Sequence, residues 1–475
     1  MQASQATAPA GGGGERTAAI AARLTEVVGG SGVGEVRRLS GGASRETYLC
    51  ERAQRGPLIL QCEHAGTPTG EPPGQAALLQ VAAAAGVPVA TVVAHGRDDA
   101  VLGAAWTLVD TLAGTSDPTQ IIAAAGEHGA PVLLDGLAAA LAAVHRMPAE
   151  PSLAPAVEEP LAQLRAMHDQ LGEPHPTFEL AFRTLGADRP PARRTLVHGD
   201  FRMGNVMVDG HRVSGVLDWE LTHIGDPVED LGWLCVPAWR FSRPDLPAAG
   251  LGTHQQLLAA YARHSGVSVA LEDLRRWELA GTLRWGVICV LQAFAHLSGA
   301  RRSVEHAVIG RRACEVEWDL LELLDPGGER SAGVSEPADE LAPVDEPALD
   351  PADSALHDRP TAVELIDAAR GALGDHVLGV LEGRPAFELR VSLRALGMVR
   401  RELEHAPQHA RVHAAALSAV GVGGERELAR EIRAGAFDER RPQLLAALRS
   451  IVRAKLEVAN PSYLHTYQPD GEDGE

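Results

Sequence analysis

His198-Gly199-Asp200-Phe201-Arg202-Met203-Gly204-Asn205, followed by a short hairpin and then by Asp218-Trp219-Glu220, is the stretch whose reading decides the fold. Val206-Met207-Val208 and Val213 to Leu217 are β-type runs separated by the turn-forming Asp209-Gly210-His211-Arg212. Pairing Val208 with Val213 sets Asn205 opposite Val216, so Asn205 and Asp218 share the open end of the ribbon. Asp200 lies just upstream, at the bend after Thr195-Leu196-Val197. Two oxygen ligands converging at one ribbon end suit Mg²⁺, which takes one or two protein carboxylates and fills its shell with phosphate and water. Phosphoryl transfer needs that set: a carboxylate for the acceptor hydroxyl, and an amide and a second carboxylate for the metal. A surface hairpin with unrelated polar residues is the plain alternative. His-x-Asp alone would not displace it; the spaced Asn205 and strand-end Asp218 do.

The Asp-to-Asn gap of five matches the protein-kinase catalytic loop, with Gly199 where that loop has Arg. The chain resembles the aminoglycoside phosphotransferase/choline kinase-like family, and more closely the subgroup related to kinase-like domains fused to acyl-CoA dehydrogenases. The matching pieces are Leu39 to Thr47, residues 198–218, Leu217 to Glu220 with Gly225-Asp226-Pro227, Trp285 to Cys289, and Glu317-Trp318-Asp319. They cover about residues 20–325. The resemblance implies an α+β, two-lobed protein-kinase-like fold, with an N-lobe of antiparallel sheet plus helix and a helical C-lobe. It implies ATP and Mg²⁺ as cofactors and a small-molecule hydroxyl as acceptor. A hydroxyacyl-CoA is the expected acceptor, with an aminoglycoside or choline-like alcohol as the rival. By the same resemblance Asp200 is the catalytic base and His198 shapes its loop. Asn205 and Asp218 hold the metal. Gly41, Gly42 and Ser44 cover the phosphates, and Asp110 to Leu112 form the hinge facing adenine. Asp230 braces the catalytic loop, and Asp226 caps the helix that carries it.

One departure stands out. Family members place Lys or Arg on the third N-lobe strand to grip the phosphates, but that strand reads Pro57-Leu58-Ile59-Leu60-Gln61-Cys62-Glu63. The helix that should supply the ion-pair partner contains Gln75 where the family has Glu. Two glutamines can hydrogen-bond each other and avoid a poorly compensated charge. They also forgo a cation that opposes phosphate charge. Either Arg45, Arg52 or Arg55 supplies the charge, or the domain is a catalytically weak nucleotide-binding pseudokinase that acts as an interaction module.

The chain has 43 basic and 63 acidic residues and a net charge of −20, which argues against a general nucleic-acid binder. Lys455 is the single lysine. Five scattered cysteines without metal-type spacing suit a reducing cytoplasm. No signal-peptide pattern opens the sequence, and the apolar run Val287–Leu297 is too short to span a bilayer. A cytoplasmic protein without membrane association is expected.

Composition and periodicity divide the 475 residues. Residues 1–14 read as a disordered tail, 15–112 as the N-lobe and 113–325 as the C-lobe. Residues 326–358 form an acidic, Pro-rich linker, 359–463 a separate all-helical domain, and 464–475 an acidic tail. Helices are expected near 253–264, 271–298 and 303–324, and again over 385–404, 408–419, 425–434 and 440–457. The helical domain has no site legible in its sequence, and its protein partner is unknown. Arg301-Arg302 and Arg311-Arg312 are candidate contacts for an anionic substrate such as a CoA nucleotide.

Overall fold

The computed structural model describes residues 13–29, 32–39, 45–52, 56–63, 74–187, 189, 193–326 and 360–466. Gly41, Gly42, Ser44, Arg55, nearly all of the acidic 326–358 segment and most of both tails lie outside the described residues.

The N-terminal lobe opens with α1 (Gly13–Val28) and builds an antiparallel sheet from β1 (Val33–Arg38), β2 (Arg45–Arg52), β3 (Leu58–Glu63), β4 (Val92–Asp99) and β5 (Gly103–Asp110). Helix α2 (Gln75–Ala84) lies between β3 and β4 in sequence, and the strand order is β1-β2-β3-β5-β4. Period-two alternation divides the sheet. Tyr48, Cys50, Leu58, Leu60, Cys62 and Leu108 bury one face against Ile20 and Leu24 of α1. Thr47, Ile59, Gln61 and Val109 line the other face, which looks into the cleft.

The second lobe is mainly helical: α3 (Pro118–Val144), α4 (Pro160–Leu171), α5 (Pro176–Leu185), α6 (Val228–Cys235), α7 (His254–Ser265), α8 (Leu271–Leu297), α9 (Val304–Gly310) and α10 (Ala313–Leu324). Short strands β6 (Thr195–Val197), β7 (Val206–Asp209), β8 (Arg212–Val216) and β9 (His223–Gly225) carry the functional loop. β6 pairs with β9, and β7 with β8. Helix α3 is long and apolar enough to cross a membrane, yet its Leu133, Leu137 and Leu141 are fully buried in the lobe's core. Gly126, at φ +52°, breaks its path.

A helical C-terminal domain follows: α11 (Ala362–Ala372), α12 (Gly383–Val420), α13 (Glu425–Ala434) and α14 (Arg441–Ala459). It packs on the second lobe. Leu180, Cys314, Trp318 and Leu321 of that lobe share one apolar core with Leu417, Leu428, Leu448 and Leu456.

Three local expectations change. The single helix expected over 303–324 is two, separated at Arg311-Arg312 just after Gly310, a poor helix former that lets the turn pack against Ala293. The helices expected at 385–404 and 408–419 are one, α12, which runs through Pro407 because packing against α14 outweighs the local propensity. The ribbon register also differs. Val206, not Asn205, sits opposite Val216, because the pairing shifts between Met207 and Val208. Asn205 meets Leu217 instead, through a 2.8 Å bond from the Leu217 amide.

Candidate active site

The 198–205 loop alternates. Phe201 and Met203 are fully buried in the core of the second lobe and anchor it, while Asp200 and Arg202 between them remain partly accessible. Gly199 has φ +79°, and a Cβ there would run into the Leu221 carbonyl oxygen. That close approach demands glycine and accounts for Gly in place of Arg.

Asp230, fully buried on α6, holds the loop from beneath. Its Oδ2 accepts from the His198 amide at 2.8 Å and its Oδ1 from the Gly199 amide at 2.9 Å. His145 Nε2 lies 3.1 Å from Asp230 Oδ2, and its Nδ1 lies 2.8 Å from the Tyr261 hydroxyl. Burial pushes the Asp230 pKa up, but the His145 hydrogen bond and the nearby His145 and His198 rings outweigh it, and the carboxyl titrates below its ordinary value. His198 Nε2 donates to Leu217 O at 2.9 Å, while Nδ1 accepts from the Asp200 amide at 3.2 Å. That pattern is a neutral imidazole, in keeping with a pKa lowered by burial.

Asp200 is held by three donors. Trp233 Nε1 donates to its Oδ1 at 2.8 Å and Arg202 Nε to the same atom at 3.1 Å. Asn205 Nδ2 donates to Oδ2 at 2.6 Å and to the Asp200 carbonyl at 3.0 Å. An ionised carboxylate has about four acceptor positions. Among the described residues the one position left is on Oδ2, where an incoming hydroxyl can bind.

Both Asn205 donations come from its amide nitrogen, which leaves its Oδ1 as the metal-competent atom. Asp218 follows β8 in the left-handed region, φ +61°, a conformation tolerated by Asp and characteristic of functional turns. Partial burial, then the neighbouring Glu220 and Asp200 carboxylates, push its pKa up. Hard oxygen donors among mutually repelling carboxylates fit a divalent cation such as Mg²⁺, which would relieve that repulsion.

Asn205 and Asp218 line a cavity of about 480 Å³ between the lobes, together with Gln61, Gln75, Asp110 and Leu112. Sequence-distant candidates therefore share one cleft. Gln75 Nε2 donates to Gln61 Oε1 at 2.6 Å. Arg52 is not beside Gln61: its guanidinium donates to Asp110 Oδ1 at 3.3 Å and to Gly56 O at 2.8 Å. It sits five residues along β2 from Thr47, the register partner of Gln61, roughly 17 Å away. Asp226 Oδ1 accepts from the Val228 amide at 3.0 Å at the start of α6.

A second cavity of about 480 Å³ opens in the second lobe, one of its walls being Trp233, the residue that donates to Asp200. Its walls include Leu161, Leu164, Met167, Leu221, Ile288 and Leu291, with Trp233, Arg284, Glu229 and His223 as polar features. Glu220 lines both cavities. Sequence reading missed Trp233, His145 and Arg202. Arg311 is occupied by Glu402 and Arg312 by Glu315 at 2.8 Å, so these two arginines are committed to protein contacts.

Residues 35–267 match the family described as "Phosphotransferase enzyme family", and residues 379–463 match "Domain of unknown function (DUF6285)". Acyl-CoA dehydrogenase family member 10 of Mus musculus is 25% identical over 259 residues, taking in 49% of this chain and 24% of that protein. Acyl-CoA dehydrogenase family member 11 of Homo sapiens is 25% identical over 149 residues, 30% of this chain and 18% of that protein. The chain thus spans less than a quarter of the curated relatives it matches. A solved structure from Ralstonia eutropha JMP134, provisionally assigned as an aminoglycoside phosphotransferase, superposes with a TM-score of 0.53 at 20% identity. It covers 65% of this chain and 97% of its own, and shares the fold.

Proposed function

We propose that this chain, whose residues 35–267 form a phosphotransferase enzyme family domain, transfers the terminal phosphoryl group of Mg·ATP to a hydroxyl of a small molecule. The observation that carries the reading is that Asn205 and Asp218 line the inter-lobe cavity together while Asn205 is bonded to the Asp200 carboxylate. Asp200 would orient the acceptor hydroxyl through its remaining Oδ2 position and accept its proton late in transfer. Asn205 Oδ1 and Asp218 would hold Mg²⁺, which when bound offsets charge on the phosphates. Gln61 and Gln75 would face the phosphates, and Asp110 and Leu112 the base.

The acceptor is best read as a hydroxyacyl-CoA. The cavity that Trp233 helps to enclose has mostly apolar walls, and its Glu229 is already paired with Arg284 and His223. An acyl chain suits such walls better than a polycationic aminoglycoside or choline-like alcohol, which would want uncommitted carboxylates. The names of the dehydrogenase-family relatives favour the same class. Five buried free thiols agree with a reducing, cytoplasmic setting.

The neutral Gln61–Gln75 pair favours a second reading, a weak nucleotide binder that presents the helical domain to a partner. A coupled ATP-consumption assay separates the two. Turnover on hydroxyacyl-CoA thioesters, absent with aminoglycosides and choline, supports the enzyme. Mg·ATP binding without turnover on any of these acceptors favours the binding module.

A further inference from the structure

We infer that Trp233 is a positioning residue that ties the apolar acceptor cavity to the orientation of Asp200, an inference that rests on the phosphotransfer reading above. Trp233 is 3% exposed and touches two functional elements at once. Its indole N–H donates to Asp200 Oδ1 at 2.8 Å, and its ring forms part of the wall of the cavity of about 480 Å³ in the second lobe. The ring is itself fixed. The Arg284 guanidinium lies 4.7 Å from its centroid, within cation–π range. Arg284 Nη1 is held by Glu229 Oε1 at 3.2 Å, and the other oxygen of Glu229 lies 3.1 Å from His223 Nε2. His223 Nδ1 lies 2.9 Å from the Leu221 carbonyl oxygen, so the ring donates from both nitrogens. One continuous set of contacts thus runs His223–Glu229–Arg284–Trp233–Asp200.

The consequence is geometric. Trp233 and Arg202 together occupy Oδ1 of Asp200 and leave the acceptor hydroxyl only Oδ2. Removing the indole N–H opens a second docking position on Oδ1 and frees the carboxylate to rotate. An acceptor packed on the ring would press on the same side chain that aims the base. Aromatic bulk at 233 would therefore hold the acceptor, while the N–H would set the reaction geometry.

Two measurements on the full chain test this. In the first, phosphate release from Mg·ATP with water as acceptor is compared for wild type, Trp233→Phe, Asp200→Asn and the double variant. Trp233→Phe keeps the ring and is expected to lower turnover about tenfold or more, with KM for Mg·ATP within about twofold. In the Asp200→Asn background it is expected to cost nothing further, because its partner is already altered. An equal loss in both backgrounds would reduce Trp233 to packing and overturn the inference. In the second, the tryptophan indole N–H signals are followed by ¹⁵N NMR, with that of Trp233 assigned by its loss in Trp233→Phe. Its signal should move in Asp200→Asn and stay in Asp218→Asn. A signal indifferent to Asp200→Asn would also overturn the inference. The NMR measurement needs no activity. Wild type without phosphate release would count against the phosphotransfer reading and leave the indole–carboxylate link to be decided separately.

Discussion

Gln75 on α2 donates to Gln61 on β3 through a 2.6 Å amide–amide bond, at the place where phosphotransferase relatives of this kind are expected to join a carboxylate to a cation. The substitution is coordinated. Either charge alone would face a neutral amide in a partly buried cleft, whereas the pair satisfies one donor and one acceptor together. The architectural link between helix and sheet survives; the positive charge does not.

Restoring the charges should therefore work only in combination. Gln61→Arg with Gln75→Glu is expected to tighten Mg·ADP binding by about tenfold, or about 1.4 kcal/mol. Gln75→Glu alone should weaken it, by adding a carboxylate near the phosphates without its cation. Isothermal titration calorimetry reads both. Equal affinity in the double variant and wild type would mean that phosphate charge is met elsewhere in the cleft.

Asp218 gives a stability signature opposite to its proposed importance. Its pKa is pushed above the ordinary 3.8 by partial burial and by Glu220 and Asp200. A carboxyl raised on folding helps most below its unfolded pKa, and that help is lost as pH rises through the folded value. At pH 7 the ionised group thus opposes folding. Asp218→Asn should raise the Tm of the metal-free protein slightly while abolishing transfer. Mg²⁺ should raise the Tm of wild type more than that of the variant. Differential scanning fluorimetry with and without MgCl₂ checks both signs, and an Asn variant that melts lower than wild type would refute the argument.

The local signals in the sequence were strong where chemistry and turn geometry coincide. Asp200, Asn205 and Asp218 could be read together because a β-hairpin with a turn between two apolar runs has few ways to fold. The register was missed by one residue, since a shift inside a ribbon leaves no mark on an alternating pattern. Gln61 and Gln75 were legible through the family resemblance, which expects a cation on the third strand and a carboxylate on the helix after it. Trp233 and His145 were not legible as contacts of the site. Each looks like an ordinary helix residue until tertiary packing brings α6 and the end of α3 under the loop. The shared core between the second lobe and the C-terminal domain was also hidden, because periodicity reports a buried face and not its partner.

Asp230 should be among the least replaceable residues for stability as well as for activity. Asp230→Ala would leave the His198 and Gly199 amides and the His145 ring without their acceptor, in fully buried surroundings. At about 1–3 kcal/mol per orphaned buried donor, a loss of about 3 kcal/mol or more is expected. Chemical denaturation measures it. A loss below about 1 kcal/mol would show that the loop holds its shape through Phe201 and Met203 alone.

The C-terminal domain is fastened to the second lobe by an ion chain whose pH limits can be worked out. Lys455 Nζ lies 3.4 Å from Glu317 Oε2 and 3.0 Å from Glu425 Oε2, and Glu317 Oε1 lies 3.5 Å from His175 Nδ1. Burial pushes the Glu317 pKa up, but Lys455 and His175 outweigh it and bring the group to about 2. Its contribution is present above the ordinary 4.5 and is lost as pH falls through about 2. Burial works against the His175 charge, yet the carboxylates of Glu173, 3.8 Å away, and Glu317 lift its pKa to about 9. That contribution is full below the ordinary 6.5 and is lost as pH rises through about 9. The second lobe around His175 and Glu317 should therefore be most stable between about pH 4.5 and 6.5 and should loosen toward pH 9. Lys455→Met leaves Glu317 with His175 and Glu425 with His413 as their remaining partners and should cost about 1–3 kcal/mol, most of it recovered on adding Glu317→Gln. Hydrogen exchange in α5 and α10 at pH 6 and pH 9 reads the first claim, and calorimetry of the two variants reads the second. Exchange that is equal at both pH values would mean that the His175 charge adds nothing to the second lobe, and a silent Lys455→Met would mean that the apolar contacts of Trp318 and Leu448 hold the domains together without help from the charges.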